Sequence, residues 1–197
     1  MNAAADKTAC AELIQAWGFA RDQGRWADLL DIFHSGGRIH VSWFMGAYPD
    51  FVERCRQNHG RTKSKHLLWP TRITMNGARA LSECNVAILV RQAIEGIEVD
   101  LTSYGRFLDR LERRDGRWRI VERATVYEQD RLDPVLPSPA FDALMQNADA
   151  ARFPAPYRYM GYRVEAAGRS LAEPVHYDGR AETAALKDRY TDWLNGK

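Results

Sequence analysis

The sequence predicts an α+β fold: a strongly curved antiparallel sheet wrapped round N-terminal helices, a cone-shaped half barrel with an internal pocket. Two observations predict it. Apolar residues recur at helical spacing over the first third of the chain, and beyond about residue 65 the period changes to alternation. The alternating runs are then punctuated by Asn76-Gly77, Glu95-Gly96 and Asp115-Gly116, three hairpin turns that imply four sequential antiparallel strands. Helices first and a meander afterwards keep the two kinds of element apart, which is the α+β arrangement.

Leu13, Trp17, Ala20 and Gly24 follow helical spacing, with Thr8 as N-cap of a helix that runs to about Gln23. In a second, shorter helix Trp26, Leu29, Leu30 and Phe33 form an apolar stripe, and Ser35-Gly36-Gly37 breaks it. RIHVSWF, residues 38–44, reads as one strand with Ile39, Val41 and Trp43 on one face. Gly46 is a turn, and Pro49 opens a third helix through Phe51, Val52 and Cys55 that gives way at His59-Gly60. The four strands are expected near 65–75, 79–93, 97–113 and 117–128. Several exceed the usual length of about five or six residues, so the sheet should be twisted and curved, and half closed by helices it makes a pocket.

This domain is expected over residues 1–134, and residues 135–197 form a C-terminal docking tail with short helices. The tail has too few apolar residues for its own core. Phe141, Leu144, Phe153, Tyr157, Tyr159 and Tyr162 equip it to strap across the barrel or a neighbouring subunit, or to form a lid over the pocket.

The 197 residues, 45% of them hydrophobic, suffice for one well-buried core. A net charge of +2 from 28 basic and 26 acidic residues spread along the chain leaves no footprint for nucleic acid or an anionic membrane. Cys10, Cys55 and Cys84 are widely spaced and read as reduced structural thiols. Asp6 and Glu12 interrupt what would have to be a signal-peptide core, and no apolar run approaches membrane-spanning length, so a cytoplasmic protein is expected.

Gly-x-Gly-x-x-Gly, a phosphate-binding loop ending in Lys-Ser/Thr, a Gly-x-Ser-x-Gly elbow and His-Glu-x-x-His are all absent. His34, His40, His59, His66 and His176 show no ligand spacing, so neither a metal nor another cofactor is expected. The remaining candidates are single polar residues. His66 begins an otherwise apolar strand, as a general base or as a half-buried histidine bonded to backbone. Asp22 lies opposite Leu13 on a regular helix, the solvent side, at a helix end where negative charge is disfavoured. Arg123 is a surface charge or an anion anchor, and Tyr104 and Tyr127 are wall or hydrogen-bond donors.

The segments ARDQGRWADLLDIF, KHLLWPTRI and GRFLDRLERRDGRWRIVERATVYEQDRLDP, in that order, resemble the SnoaL-like branch of the nuclear transport factor 2-like superfamily. This group is similar to scytalone dehydratase and hexachlorocyclohexane dehydrochlorinase. The resemblance spans about Ala9 to Pro134. It implies that Asp22 and His66 are a catalytic pair, His66 taking a proton from substrate while Asp22 orients its ring. It further implies that Arg123 stabilises a leaving anion. Trp17 stands where the dehydrochlorinase has a lysine, and Asn85 is the one amide in the strand where scytalone dehydratase has its second histidine. Trp43, Tyr48, Trp69 and Tyr104 become aromatic walls, with structural core as the alternative for each.

The expected function is therefore a cofactor-independent lyase or isomerase of dehydratase type, acting on a small hydrophobic cyclic substrate. The alternative is a non-catalytic ligand-binding or accessory assembly subunit of the same fold. Symmetry mates usually cover the open sheet of this fold, which implies a homodimer or homotrimer.

Overall fold

A computed structural model describes residues 3–61 and 63–197. The first helix, Ala3–Gln23 (α1), buries Cys10, Ile14, Trp17 and Ala20 along one face. It starts ahead of Thr8, whose hydroxyl donates back to the Ala4 carbonyl at 3.1 Å instead of capping. Gly24, at φ +67°, stops it, and the Arg25 N–H closes on the Ala20 carbonyl at 2.9 Å, a Schellman ending.

Trp26–Asp31 (α2) is shorter than the apolar stripe suggests, because Phe33 already belongs to the strand Phe33–Val41 (β1). The Gly36-Gly37 pair thus interrupts a strand rather than a helix, as a bulge between Phe33 and Arg38. The segment 38–44 is likewise not one strand. Val41 pairs with Phe44 at the start of Phe44–Ala47 (β2), leaving Ser42 and Trp43 as a hairpin tip. The Tyr127 hydroxyl holds that tip by accepting from the Ser42 N–H, and the Ser42 carbonyl accepts from Ala172. Tyr48–Gln57 (α3) follows, with Pro49 in its first turn.

The run 65–75 divides into Lys63–Leu68 (β3) and Arg72–Asn76 (β4), because Pro70 has no N–H to give a ladder. Both pieces pair with Arg79–Ile94 (β5), which continues through Ile97–Arg114 (β6) to Arg117–Pro134 (β7). The order across the sheet is β2-β1-β7-β6-β5-β3, in which β1 runs parallel to β7 and the other neighbours are antiparallel. Register shifts at Tyr104/Gly105 and Arg110/Leu111 bend the long strands. At the first bend only glycine fits, since a Cβ on Gly105 would lie 2.3 Å from the Val126 carbonyl oxygen.

Two groups of buried side chains divide the concave side. Trp17, Phe51, Phe107 and Ile120 join α1 and α3 to one end of the sheet. At the other end Val90, Val99, Leu101 and Leu132 pack against Phe141, Tyr157, Met160 and Val164, all from beyond Pro134. These last residues come from Pro139–Asn147 (α4), a pair of single 3₁₀ turns and Arg158–Ala166 (α5). Beyond them His176–Tyr177 (β8) pairs with Val126 and Tyr127. Ala181–Leu194 (α6) sets Leu186 and Tyr190 on Leu108, Ala124 and Val126, the opposite face of the sheet. The segment therefore straps its own barrel and also walls the pocket. Among the described residues no helix is long and apolar enough to cross a membrane.

Candidate active site

A cavity of about 660 Å³ lies between α1, α3, the concave sheet and α5. Asp22 and His66 stand together in its wall. The Asp22 carboxylate accepts from the His66 ring at Nδ1, 2.6 Å away, and from the His66 backbone N–H at 2.8 Å. Its side chain is only 4% exposed, and that of His66 only 9%.

Gly18 explains how a strand comes so close to a helix. It lies one turn before Asp22, and a Cβ there would meet Leu68 Cδ1 at 2.9 Å. Without that Cβ, β3 settles on α1 and lays His66 over the last turn. The two N–H groups of His66 then neutralise an acid that the helix dipole disfavours. Asp22 is thus a flank of the buried face and not a solvated acid.

With Nδ1 donating to Asp22, Nε2 is the basic nitrogen of His66, and no hydrogen bond occupies it among the described residues. Burial pushes the His66 pKa down, and the charges of Arg21 and Arg123 add to this against the opposing pull of Asp22. The ring is neutral near pH 7. Burial pushes the Asp22 carboxyl up, but the ring, charge and backbone N–H of His66, together with Lys65, outweigh it and leave the acid ionised. A neutral imidazole held by an ionised carboxylate is an arrangement that accepts a proton and stabilises the resulting cation.

Trp43 and Tyr127 also face the cavity. Trp43 stacks on Phe51 with ring centroids 5.3 Å apart. The Tyr127 hydroxyl accepts from Ser42 at 3.0 Å, and burial above all pushes its pKa up, so it retains a proton to donate. Arg123 sits behind the wall. It is fully buried, with its guanidinium 4.5 Å from the Trp17 ring centroid and 4.2 Å from that of Phe107, and it is bound in a fork by Asp109. Ser82 donates to the same carboxylate at 2.7 Å. Arg123 acts on the site through the His66 pKa, and its place does not fit direct contact with a leaving group.

The other four candidates do not reach the cavity. Tyr48 is core: it stacks on Phe33 at 3.5 Å and donates to the Leu29 carbonyl at 2.9 Å. Trp69, Asn85 and Tyr104 share a shallow groove on the convex side, because Cys84, Val86, Ile88 and Val90 take the inward positions of β5, and on β6 the inward positions go to Leu101, Ser103, Gly105 and Phe107. What sequence reasoning missed is the set of cations. Arg21, Arg54, Arg61, Lys63, Arg163 and Arg169 line the cavity, with Asp22 as the one lining carboxylate among the described residues. Arg163 and Arg169 come from the C-terminal segment. Their signal was Arg163 lying next to Met160 and Val164 on the apolar stripe of α5, three residues after the first and one before the second.

Cys55 also borders the cavity, but burial pushes its thiol up to about 11, which keeps it protonated near neutral pH. Among the described residues no three His, Cys, Asp or Glu side chains gather into a metal-holding group.

The chain is 29% identical over 164 residues to pea pathogenicity protein 2 of Fusarium vanettenii, covering 79% of this chain and 68% of that one. An uncharacterised protein of Emericella nidulans is 28% identical and is matched across the whole of this chain and 89% of its own. Among solved structures, a candidate scytalone dehydratase of Novosphingobium aromaticivorans superposes with a TM-score of 0.56 at 15% identity over 68% of this chain and 95% of that one. The dehydrochlorinase LinA gives 0.56 at 17% identity over 68% and 92%. Those likenesses show the fold, with its helices and its large, curved, unclosed sheet. Residues 2–124 match the SnoaL-like domain, well over half of the sequence, and the chain belongs to that family.

Proposed function

We propose that this cavity carries out cofactor-independent acid–base catalysis of dehydratase type on a small cyclic substrate. The observation that carries the reading is the 2.6 Å contact between Asp22 and His66 Nδ1, with Nε2 of a neutral ring left basic in the cavity wall. His66 Nε2 takes a proton from a carbon next to a carbonyl, and the electron pair moves onto the carbonyl oxygen. The Tyr127 hydroxyl and the cavity arginines stabilise that oxygen. As the pair returns, the bond from the neighbouring carbon to its hydroxyl breaks, the hydroxyl leaves with the proton held by His66, and the products are an alkene and water. Asp22 is a positioning residue: it selects the tautomer and stabilises the imidazolium. The relatives of dehydratase and dehydrochlorinase name lend support from the fold.

General-base assistance is worth about 10²–10⁴-fold, so His66→Ala should lose that much in kcat on cyclic β-hydroxyketones, followed by enone absorbance, while remaining folded. Unchanged turnover in a folded His66→Ala protein would end the reading. Tight binding of such compounds without turnover in the wild type would favour a ligand-binding role instead.

A further inference from the structure

We infer that the natural ligand of this cavity is a cyclic carboxylic acid whose carboxylate is held by Arg163. The inference deepens the proposed function and rests on it only for which carbon faces His66.

Arg163 is 7% exposed, yet no carboxylate among the described residues lies within ion-pair distance of it. Its Nη1 donates only to the Met160 thioether, 3.6 Å away, and its Nε has no partner. Burial lowers its pKa to about 10, with the charge of Arg169 adding to the effect, and at that value it is still a cation near pH 7. An isolated buried cation is costly, and proteins ordinarily pair it. This chain pairs its arginines elsewhere: Arg91, Arg106, Arg110, Arg119, Arg123 and Arg189 each meet a carboxylate. Asp22, the one lining acid among the described residues, is already engaged by His66 and Lys65, and Arg54 and Arg169, less deeply placed, lie over the rings of Phe44 and Trp43.

The remaining walls define the rest of the ligand. Trp43, Phe51, Ile88 and Phe107 offer flat apolar surface suited to a ring. A planar guanidinium matches a carboxylate with two parallel hydrogen bonds, and in a partly dry cavity such charge-assisted contacts are strong. Arg163 on α5 and His66 on β3 both border the cavity. An acid anchored by its carboxylate at Arg163 can therefore present a ring carbon to Nε2.

The test compares cyclohexanecarboxylate with cyclohexanecarboxamide, which has the same shape without the charge, and with inorganic phosphate. Thermal unfolding and quenching of the cavity tryptophans report binding. The acid should bind about 10–100-fold more tightly than the amide. Arg163→Met should abolish that preference, and His66→Ala should retain it. Should the Met variant fail to fold, Arg163→Lys must weaken the acid by about tenfold and leave the amide alone. Equal binding of acid and amide, no response to any probe, phosphate binding as well as the acid, or an acid preference that survives loss of Arg163 would each overturn the inference. Acid-selective binding with no turnover on any substrate would instead sink the catalytic reading and leave this one standing.

Discussion

Arg123 and Arg163 are both buried arginines, and they are provided for in opposite ways. Asp109 grips Arg123 with two hydrogen bonds, Ser82 steadies the acid, and the rings of Trp17 and Phe107 cover the guanidinium. Arg163 has a thioether and other cations for company. A cation matched by its own chain is architecture, and one left unmatched beside a cavity is a means of recognition. The first holds up the wall on which Trp17 packs edge-on to His66, with ring centroids 5.3 Å apart. The second faces whatever enters.

The contrast breaks most directly in stability. Removing one partner of a buried pair costs about 3–5 kcal/mol, because the other charge is stranded. Asp109→Ala should lose that much in urea unfolding, and His66 should lose its order with it. Arg163→Met, which removes a stranded charge and replaces it with a flexible apolar chain, should be no less stable than the wild type. If the two variants lose equal stability, the distinction between them is false.

A smaller effect is expected where helix and strand touch. Gly18→Val places atoms where Leu68 now sits and should cost about 1–3 kcal/mol, as overpacking does. Its sharper consequence is local: β3 lifts from α1, and the low-field proton resonance expected of His66 Nδ1–H should weaken or vanish. Asp22→Asn tests the same contact by charge alone. Without the carboxylate the His66 pKa falls further, so the rising limb of the kcat/KM profile should move to lower pH while kcat drops.

Much of this was legible before any coordinates. The change from helical to alternating period and the three Gly turns predicted the meander, because both signals are local. The dyad was legible only through family resemblance. A helical wheel centred on Leu13 turns Asp22 outward, whereas the buried line runs through Cys10, Ile14 and Trp17. At about 100° per residue Asp22 lies roughly 80° from Ile14, a flank that Gly18 opens to β3. Tyr104 and Asn85 were misplaced for a related reason. Strand alternation fixes which residues share a face but not which face looks inward, and only the packing of Cys84, Val86 and Phe107 against the helices sets the parity that turns Asn85 and Tyr104 outward. Arg163 escaped notice because an arginine on an apolar stripe signals a site only once the stripe is known to face a cavity.

His176 sharpens the comparison from a third side, with an effect confined to acid pH. It is buried beside His40, ring centroids 4.8 Å apart, with Arg180 and Arg189 acting on it, Glu182 opposing them and the Thr183 hydroxyl 3.3 Å from Nδ1. Burial, with help from His40 and those arginines, lowers its pKa to about 4. An imidazole in such a place simply gives up its proton, which a guanidinium near neutral pH does not do. The unfolded chain, where His titrates near its ordinary value of about 6.5, therefore binds more protons than the folded one between the two values. Stability from this group is complete above about pH 6.5 and is lost as pH falls towards 4. His176→Gln should keep more of its pH 7 stability at pH 4.5 than the wild type does, as read from urea midpoints. Equal losses would mean that His34, His40 and His66, whose pKa values burial also lowers, carry the acid sensitivity, and that His176 is no counterpart to Arg163.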